Sequence, residues 1–205
     1  MKRFKIFRGA AILAAILVLA FAAPARAATS PTALVGEFHD ALLQVMKKAK
    51  TTDIQQRYKM LEPAIQSSFN LGLMIRVASG SQWSKFPEAK REELEAAFGH
   101  MSVATYASRF DDYTGESFKT VGQTPGPGGT VLVKSQILRP GDSAVNITYV
   151  TKKFGNDWRI VDVLLDGGIS ELAVRRSEYF RILAKGGVDR LIQALKEKTA
   201  KLIKS

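Results

Sequence analysis

At Asp111 the chain changes its hydrophobic period, and that change limits what it can fold into. Before Asp111, apolar residues recur every three or four positions, as on one side of a helix; beyond it, four β-rich runs follow at about 116–122, 130–138, 144–153 and 158–165. The runs are separated by Pro125-Gly126-Pro127-Gly128-Gly129, Pro140-Gly141-Asp142 and Gly155-Asn156-Asp157. None of these separators can hold a helical crossover, so consecutive strands must run antiparallel, as a meander. In the third run Val145, Ile147 and Tyr149 alternate with Asn146 and Thr148, leaving one apolar face and one partly polar face. The segments before and after the strands must cover the apolar face, which is the layer logic of an α+β fold.

The covering segments read as helices. Leu34, Val35, Phe38, Leu42 and Val45 predict one from Pro31 to about Lys50, ending in lysines that suit a helix C-terminus. Thr52 or Asp53 can cap a second to about Ser67, with Ile54, Tyr58, Leu61 and Ile65 on one face and Pro63 expected to kink or divide it. Residues 68–78 are so apolar that their helix is expected to be buried nearly all round, until Gly80 and Ser81 break it. Pro87 opens a longer helix to about Phe110 with two stripes, Leu94, Phe98, Met101 and Thr105 beside Val103, Tyr106 and Phe110. After the strands, two amphipathic helices flank Gly186-Gly187.

The N-terminal residues read differently. Met1 to Arg8 carries four cations and Gly9 to Ala23 is an uninterrupted apolar or small run, too short for a comfortable membrane span. Residues 1–27 are therefore expected to be a signal peptide, cleaved after the Ala25-Arg26-Ala27 site, leaving residues 28–205 as one domain. Loss of Lys2, Arg3, Lys5, Arg8 and Arg26 would lower the formal charge from +11 to +6. Such a balance favours anionic membrane surfaces or acidic partners, and an exported chain rarely meets nucleic acid. The chain has no cysteine. That excludes a lipoprotein cleavage site, disulfides, thiolate metal sites and thiol catalysis, so the core must supply the stability.

Residues for chemistry are sparse. His39 and His100 stand isolated among helical residues, and His39-Asp40 cannot make a useful dyad by adjacency alone. Asp157, Asp162 and Asp166 are the best candidates for paired carboxylates, yet Asp162 and Asp166 lie about 13 Å apart on an extended strand. They read more simply as turn, strand-end or cap residues. The glycine groups at 126–129, 167–168 and 186–187 match no phosphate-binding loop. No catalytic residue, metal site or cofactor is expected.

A longer order of residues carries a family likeness. It consists of Asn156-Asp157-Trp158-Arg159-Ile160-Val161-Asp162-Val163, Asp166-Gly167-Gly168-Ile169-Ser170, Arg176, Tyr179 and Gly186-Gly187-Val188-Asp189-Arg190-Leu191-Ile192. Upstream, Trp83-Ser84, Pro87, Arg91, Phe98 and Tyr106 extend it. This order resembles the MlaC-type, or toluene-tolerance, family of periplasmic lipid-binding proteins across nearly all of residues 28–205. The family commonly has Glu-Gly-Val-Ser where this chain has Asp166-Gly167-Gly168-Ile169-Ser170, and residues 170–179 look closer to a branch associated with hopanoid biosynthesis.

The resemblance implies helices packed on one face of a curved four-stranded antiparallel sheet enclosing an apolar cavity. It also implies a periplasmic, non-enzymatic carrier that shuttles phospholipid or hopanoid between inner and outer membrane. The implied partners are an inner-membrane ABC transporter and an outer-membrane complex. About 15 methylenes exposed to water would cost on the order of 12 kcal/mol, so such a lipid needs an apolar container to cross an aqueous space. Stripe membership and family layout together nominate Phe69, Leu73, Val77, Trp83, Phe98, Met101, Tyr106 and Phe110 from the helices, and Val145, Ile147, Tyr149, Val161 and Val163 from the sheet, as the lipid-binding lining. Arg175, Arg176 and the last lysines are candidate docking charges. The alternative is a non-catalytic envelope adaptor with a filled core.

Overall fold

The computed structural model describes residues 30–165 and 167–204; the expected signal peptide and Asp166 lie outside the described residues. Among the described residues there are five α-helices and a five-stranded sheet: α1 (Pro31–Lys48), α2 (Ile54–Ser68), α3 (Leu71–Ser79), α4 (Glu88–Arg109), β1 (Ser117–Pro125), β2 (Thr130–Leu138), β3 (Val145–Phe154), β4 (Asp157–Leu165), β5 (Ile169–Ser170) and α5 (Glu171–Leu202). The fold class is the α+β one expected, with one strand more than the four expected. That strand is the two-residue β5, too short to carry a period-two signal.

Short polar side chains start most of the helices. Ser30 accepts from the Ala33 amide, Asn70 from Leu73 and Ser170 from Ala173. At α2, Asp53 and Gln56 form a reciprocal capping box at 2.7 and 3.0 Å. α2 runs undivided through Pro63, so of the kink or division expected there the division does not occur. α5 does break where its glycines stand: Gly187 has φ +63 and ψ −163, a conformation open essentially to glycine alone. The continuous span is therefore two helices, as the sequence suggests.

The sheet is an antiparallel meander in the order β1-β2-β3-β4-β5. Its inner face is built by cross-strand sets, Val133–Tyr149–Val163, Ser135–Ile147–Leu165 and Val131–Thr151–Ile160. α1 packs against β1 to β4 over this face, and α2, α3 and α5 pack against β4. The free edge, β1, is interrupted by a bulge at Val121 and carries Lys119 and Pro125, features that discourage edge pairing. The β4 edge is occupied instead: Asn70 donates its amide to the Ile160 carbonyl at 2.9 Å, and β5 pairs beyond it.

α3 departs from expectation. Met74, Ile75 and Ala78 are buried, but Arg76 and Val77 face solvent and Val77 is 40% exposed. A nine-residue helix lying across β4 and α5 has one covered side, and its high apolar content does not change that.

Phe38 is fully buried at the centre of the core. Its ring meets Phe69 at 5.0 Å, Tyr106 at 5.3 Å and Tyr149 at 6.1 Å, all edge to face, so one side chain joins α1, the end of α2, α4 and the sheet. Phe38→Ala is expected to lower stability by about 3–5 kcal/mol, seen as a lower urea midpoint with an unchanged slope.

Candidate functional site

Between α4, α5 and the inner face of the sheet lies a cavity of about 220 Å³. Its walls are apolar: Ile65 from α2, Phe69, Leu71 and Met74 around the start of α3, Phe98, Tyr106 and Phe110 along α4, and Ile137, Val145, Ile147, Tyr149, Val163 and Leu165 from the strands. Polar lining comes from Ser102, Thr105, Arg109, Glu171 and Arg175. The α4 contributors Phe98, Ser102, Thr105, Tyr106, Arg109 and Phe110 are spaced as a single helical stripe, which is why one helix can supply a whole wall. Phe98 and Tyr149 at the bottom are buried, whereas Arg109 is exposed, so the cavity reaches solvent at the C-terminal end of α4 beside the start of α5.

Of the residues nominated from sequence, Phe69, Phe98, Tyr106, Phe110, Val145, Ile147, Tyr149 and Val163 come together in these walls. Leu73, Val77, Trp83, Met101 and Val161 do not. Leu73 and Trp83 face a separate, polar groove with Arg76, Glu88, Arg91, Glu92 and Glu95, where the Arg91 guanidinium lies 5.9 Å from the Trp83 ring. Val77 points outward for the reason given above. Met101 is buried one residue off the cavity stripe, with its sulfur 3.4 Å from Arg175 Nη1. Val161 is the extra residue of a β-bulge: Asp162 pairs with Val150 and Ile160 with Thr151, so strict alternation back from Val163 fails and Ile160 takes the inward place.

Reasoning on apolar residues alone overlooked Arg109 and Glu171 and gave Arg175 a docking role. Helical arithmetic on α4 contained a signal for Arg109, which stands four residues beyond Thr105 and three beyond Tyr106 in the wall stripe.

Tyr149 lines the cavity with its ring and anchors its hydroxyl away from it. The hydroxyl shares a 3.1 Å hydrogen bond with His39 Nε2 on α1, and the imidazole stacks on Phe118 at 4.4 Å. Burial pushes the His39 pKa from 6.5 down to about 4 and raises the Tyr149 hydroxyl, so both are neutral over the ordinary pH range. Burial raises the Tyr106 hydroxyl too, against the opposing pull of Arg175 and Arg109.

The carboxylate nominated for acid/base work has another use. Asp162 accepts from the Val163 amide at 2.8 Å, the Ser170 hydroxyl at 2.6 Å and the Leu172 amide at 3.0 Å, tying β4 to the first turn of α5. His39 has Tyr149 as partner and His100 has Tyr58, at 2.7 Å, neither a nucleophile–base arrangement. Among the described residues no cluster of three His, Asp or Glu side chains is placed to hold a metal ion.

Meander, one-sided helical cover and apolar cavity together define the class, an α+β protein built around an internal apolar space. The particular family follows from sequence: the family model described as MlaC protein matches residues 37–197, and the chain belongs to the MlaC family. No curated protein matches the sequence. Among solved structures, the chain is similar to the phospholipid-binding protein from Ralstonia solanacearum in complex with a phospholipid. The TM-score is 0.73 at 20% identity, over 86% of this chain and 99% of that one, a likeness of fold.

Two measurements test these roles. The folded state disfavours protonated His39 relative to the unfolded chain, so its contribution is fully present above pH 6.5 and is lost as pH falls from there toward 4. His39→Gln is expected to flatten the stability curve in that window by up to about 1.4 kcal/mol per pH unit, checked by urea melts at pH 7, 5.5 and 4.5. Asp162→Asn weakens the tie between β4 and α5 and is expected to cost about 1–3 kcal/mol by the same melts.

Proposed function

We propose that this chain is a periplasmic lipid carrier that holds apolar chains in the cavity between α4, α5 and the sheet and catalyses nothing. The observation that carries this reading is the cavity itself, an apolar space walled by five aromatic side chains in a member of the MlaC family. A core has no packing reason to leave such a space empty, since voids forfeit dispersion contacts. The bound phospholipid of the Ralstonia protein supports the same use of the fold. The expected signal peptide supports export, and among the described residues no helix is long and apolar enough to cross a membrane.

Transfer requires donor and acceptor machines whose affinities differ between the loaded and the unloaded carrier. An inner-membrane transporter and an outer-membrane complex are the proposed partners. The family resemblance noted in residues 170–179 makes a hopanoid the second cargo beside a phospholipid.

The deciding experiment is to express the full chain in a hopanoid-producing host, purify the processed protein and analyse its organic extract by mass spectrometry. A stoichiometric lipid is expected. No extracted lipid, and no uptake of offered phospholipid, would overturn the carrier reading in favour of an adaptor.

A further inference from the structure

Two guanidinium groups border the cavity without a matching anion. Arg175 is half-buried; its guanidinium lies 5.8 Å from the Phe98 ring centre and its Nη1 3.4 Å from the Met101 sulfur. It also sits beside the buried Tyr179 hydroxyl. Arg109 borders the same cavity from the last turn of α4. Among the described residues, neither forms an ion pair, whereas Arg139, Arg159 and Arg190 each have a carboxylate partner. Glu171 also borders the cavity one turn before Arg175, yet no ion pair joins them. Its carboxylate stands in the first turn of α5, where the helix dipole favours negative charge.

A half-buried guanidinium offers five donors, and a ring face, a thioether and a phenol are poor substitutes for an anion. Partial burial of such a charge is costly unless a partner arrives. The guanidinium fork suits bidentate contact with phosphate or carboxylate oxygens. We infer that Arg175, assisted by Arg109, receives the anionic group of the cargo while the aromatic wall receives its chains, so that the cavity selects acidic lipids over neutral ones. This rests on the carrier reading and narrows it: a neutral polycyclic hydrocarbon would leave both guanidiniums without an acceptor. The apolar remainder of the lining means that most binding energy comes from the chains, so a free phosphate ester is held weakly.

The test compares uptake of pyrene-labelled phosphatidylglycerol and pyrene-labelled diacylglycerol by delipidated protein. Wild-type protein is expected to prefer phosphatidylglycerol by about tenfold or more, the range of a charge-assisted contact. Arg175→Gln is expected to reduce that preference to less than about threefold, read as the ratio of the two uptakes by the same variant, with its far-UV circular dichroism spectrum checking that it is folded. Arg175→Lys should recover part of the preference, because it restores charge without the fork. Arg109→Gln, at an exposed position, gives a second variant with a smaller loss in the same direction. Equal uptake of the two probes by wild-type protein, or an unchanged preference in Arg175→Gln, would overturn the inference and leave the carrier reading standing. Uptake of neither probe would remove both. Displacement of phosphatidylglycerol by millimolar glycerol phosphate would reassign the arginines to a free phosphate ester and overturn their role toward lipid.

Discussion

The cavity exists because the helical layer and the sheet are joined beside it rather than through it. Phe38 and His39, adjacent on α1, make that joint. Phe38 sets its ring against Phe69, Tyr106 and Tyr149, and His39 meets the Tyr149 hydroxyl on the far side of the ring. Tyr149 can then serve two environments: its polar end is satisfied inside the joint and its ring is left as apolar wall. Without the histidine, a hydroxyl at this depth would lack a partner and would cost about as much as a lost hydrogen bond.

This placement also explains why the walls need so few polar atoms. Along β3 the inward side chains run from Val145 at the rim through Ile147 to Tyr149, and the register brings Val163 and Leu165 of β4 beside them. The polar residues gather on the helical side and near the opening, where Arg109, Glu171 and Arg175 have access to water. An apolar interior with charged groups at one end suits an amphiphile that enters chain first.

Period carried most of the legible information. The meander follows from alternation together with separators too short for crossovers, and α1, α2 and α4 follow from stripes whose residues are buried or, like Ile54, Tyr58, Tyr106 and Phe110, partly buried against the core. What escaped has local causes. Two adjacent apolar residues, as at Ile160-Val161 between Arg159 and Asp162, do not say which of them a bulge turns inward, so alternation back from Val163 chose Val161 where the structure has Ile160. Hydrophobicity also cannot say how many sides of a short helix are covered, which misplaced Val77 and Leu73. Whether Phe98 and Tyr106 surround a space or fill a core is a matter of a few ångströms of layer separation, which residue lists do not encode. The family likeness bridged that gap by suggesting a container. The arginines fell outside a search that looked only for apolar lining.

The break at Gly186-Gly187 divides α5 mechanically as well as geometrically. A helix resists bending only while its ladder of backbone hydrogen bonds is continuous, and here a positive φ interrupts it with open space around Gly187. The C-terminal half is fastened to α4 by the Lys196–Glu93 ion pair at 2.7 Å, whereas the half that carries Glu171 and Arg175 is fastened to β4 through Asp162. Both halves are seated on α4, the first through Arg175 and Tyr179 against Phe98, but only the first is also tied to the sheet, and the glycines between them form a joint that transmits position but little torque. A small change in the angle of the sheet-tied half can therefore be taken up at the glycines without unwinding the C-terminal helix.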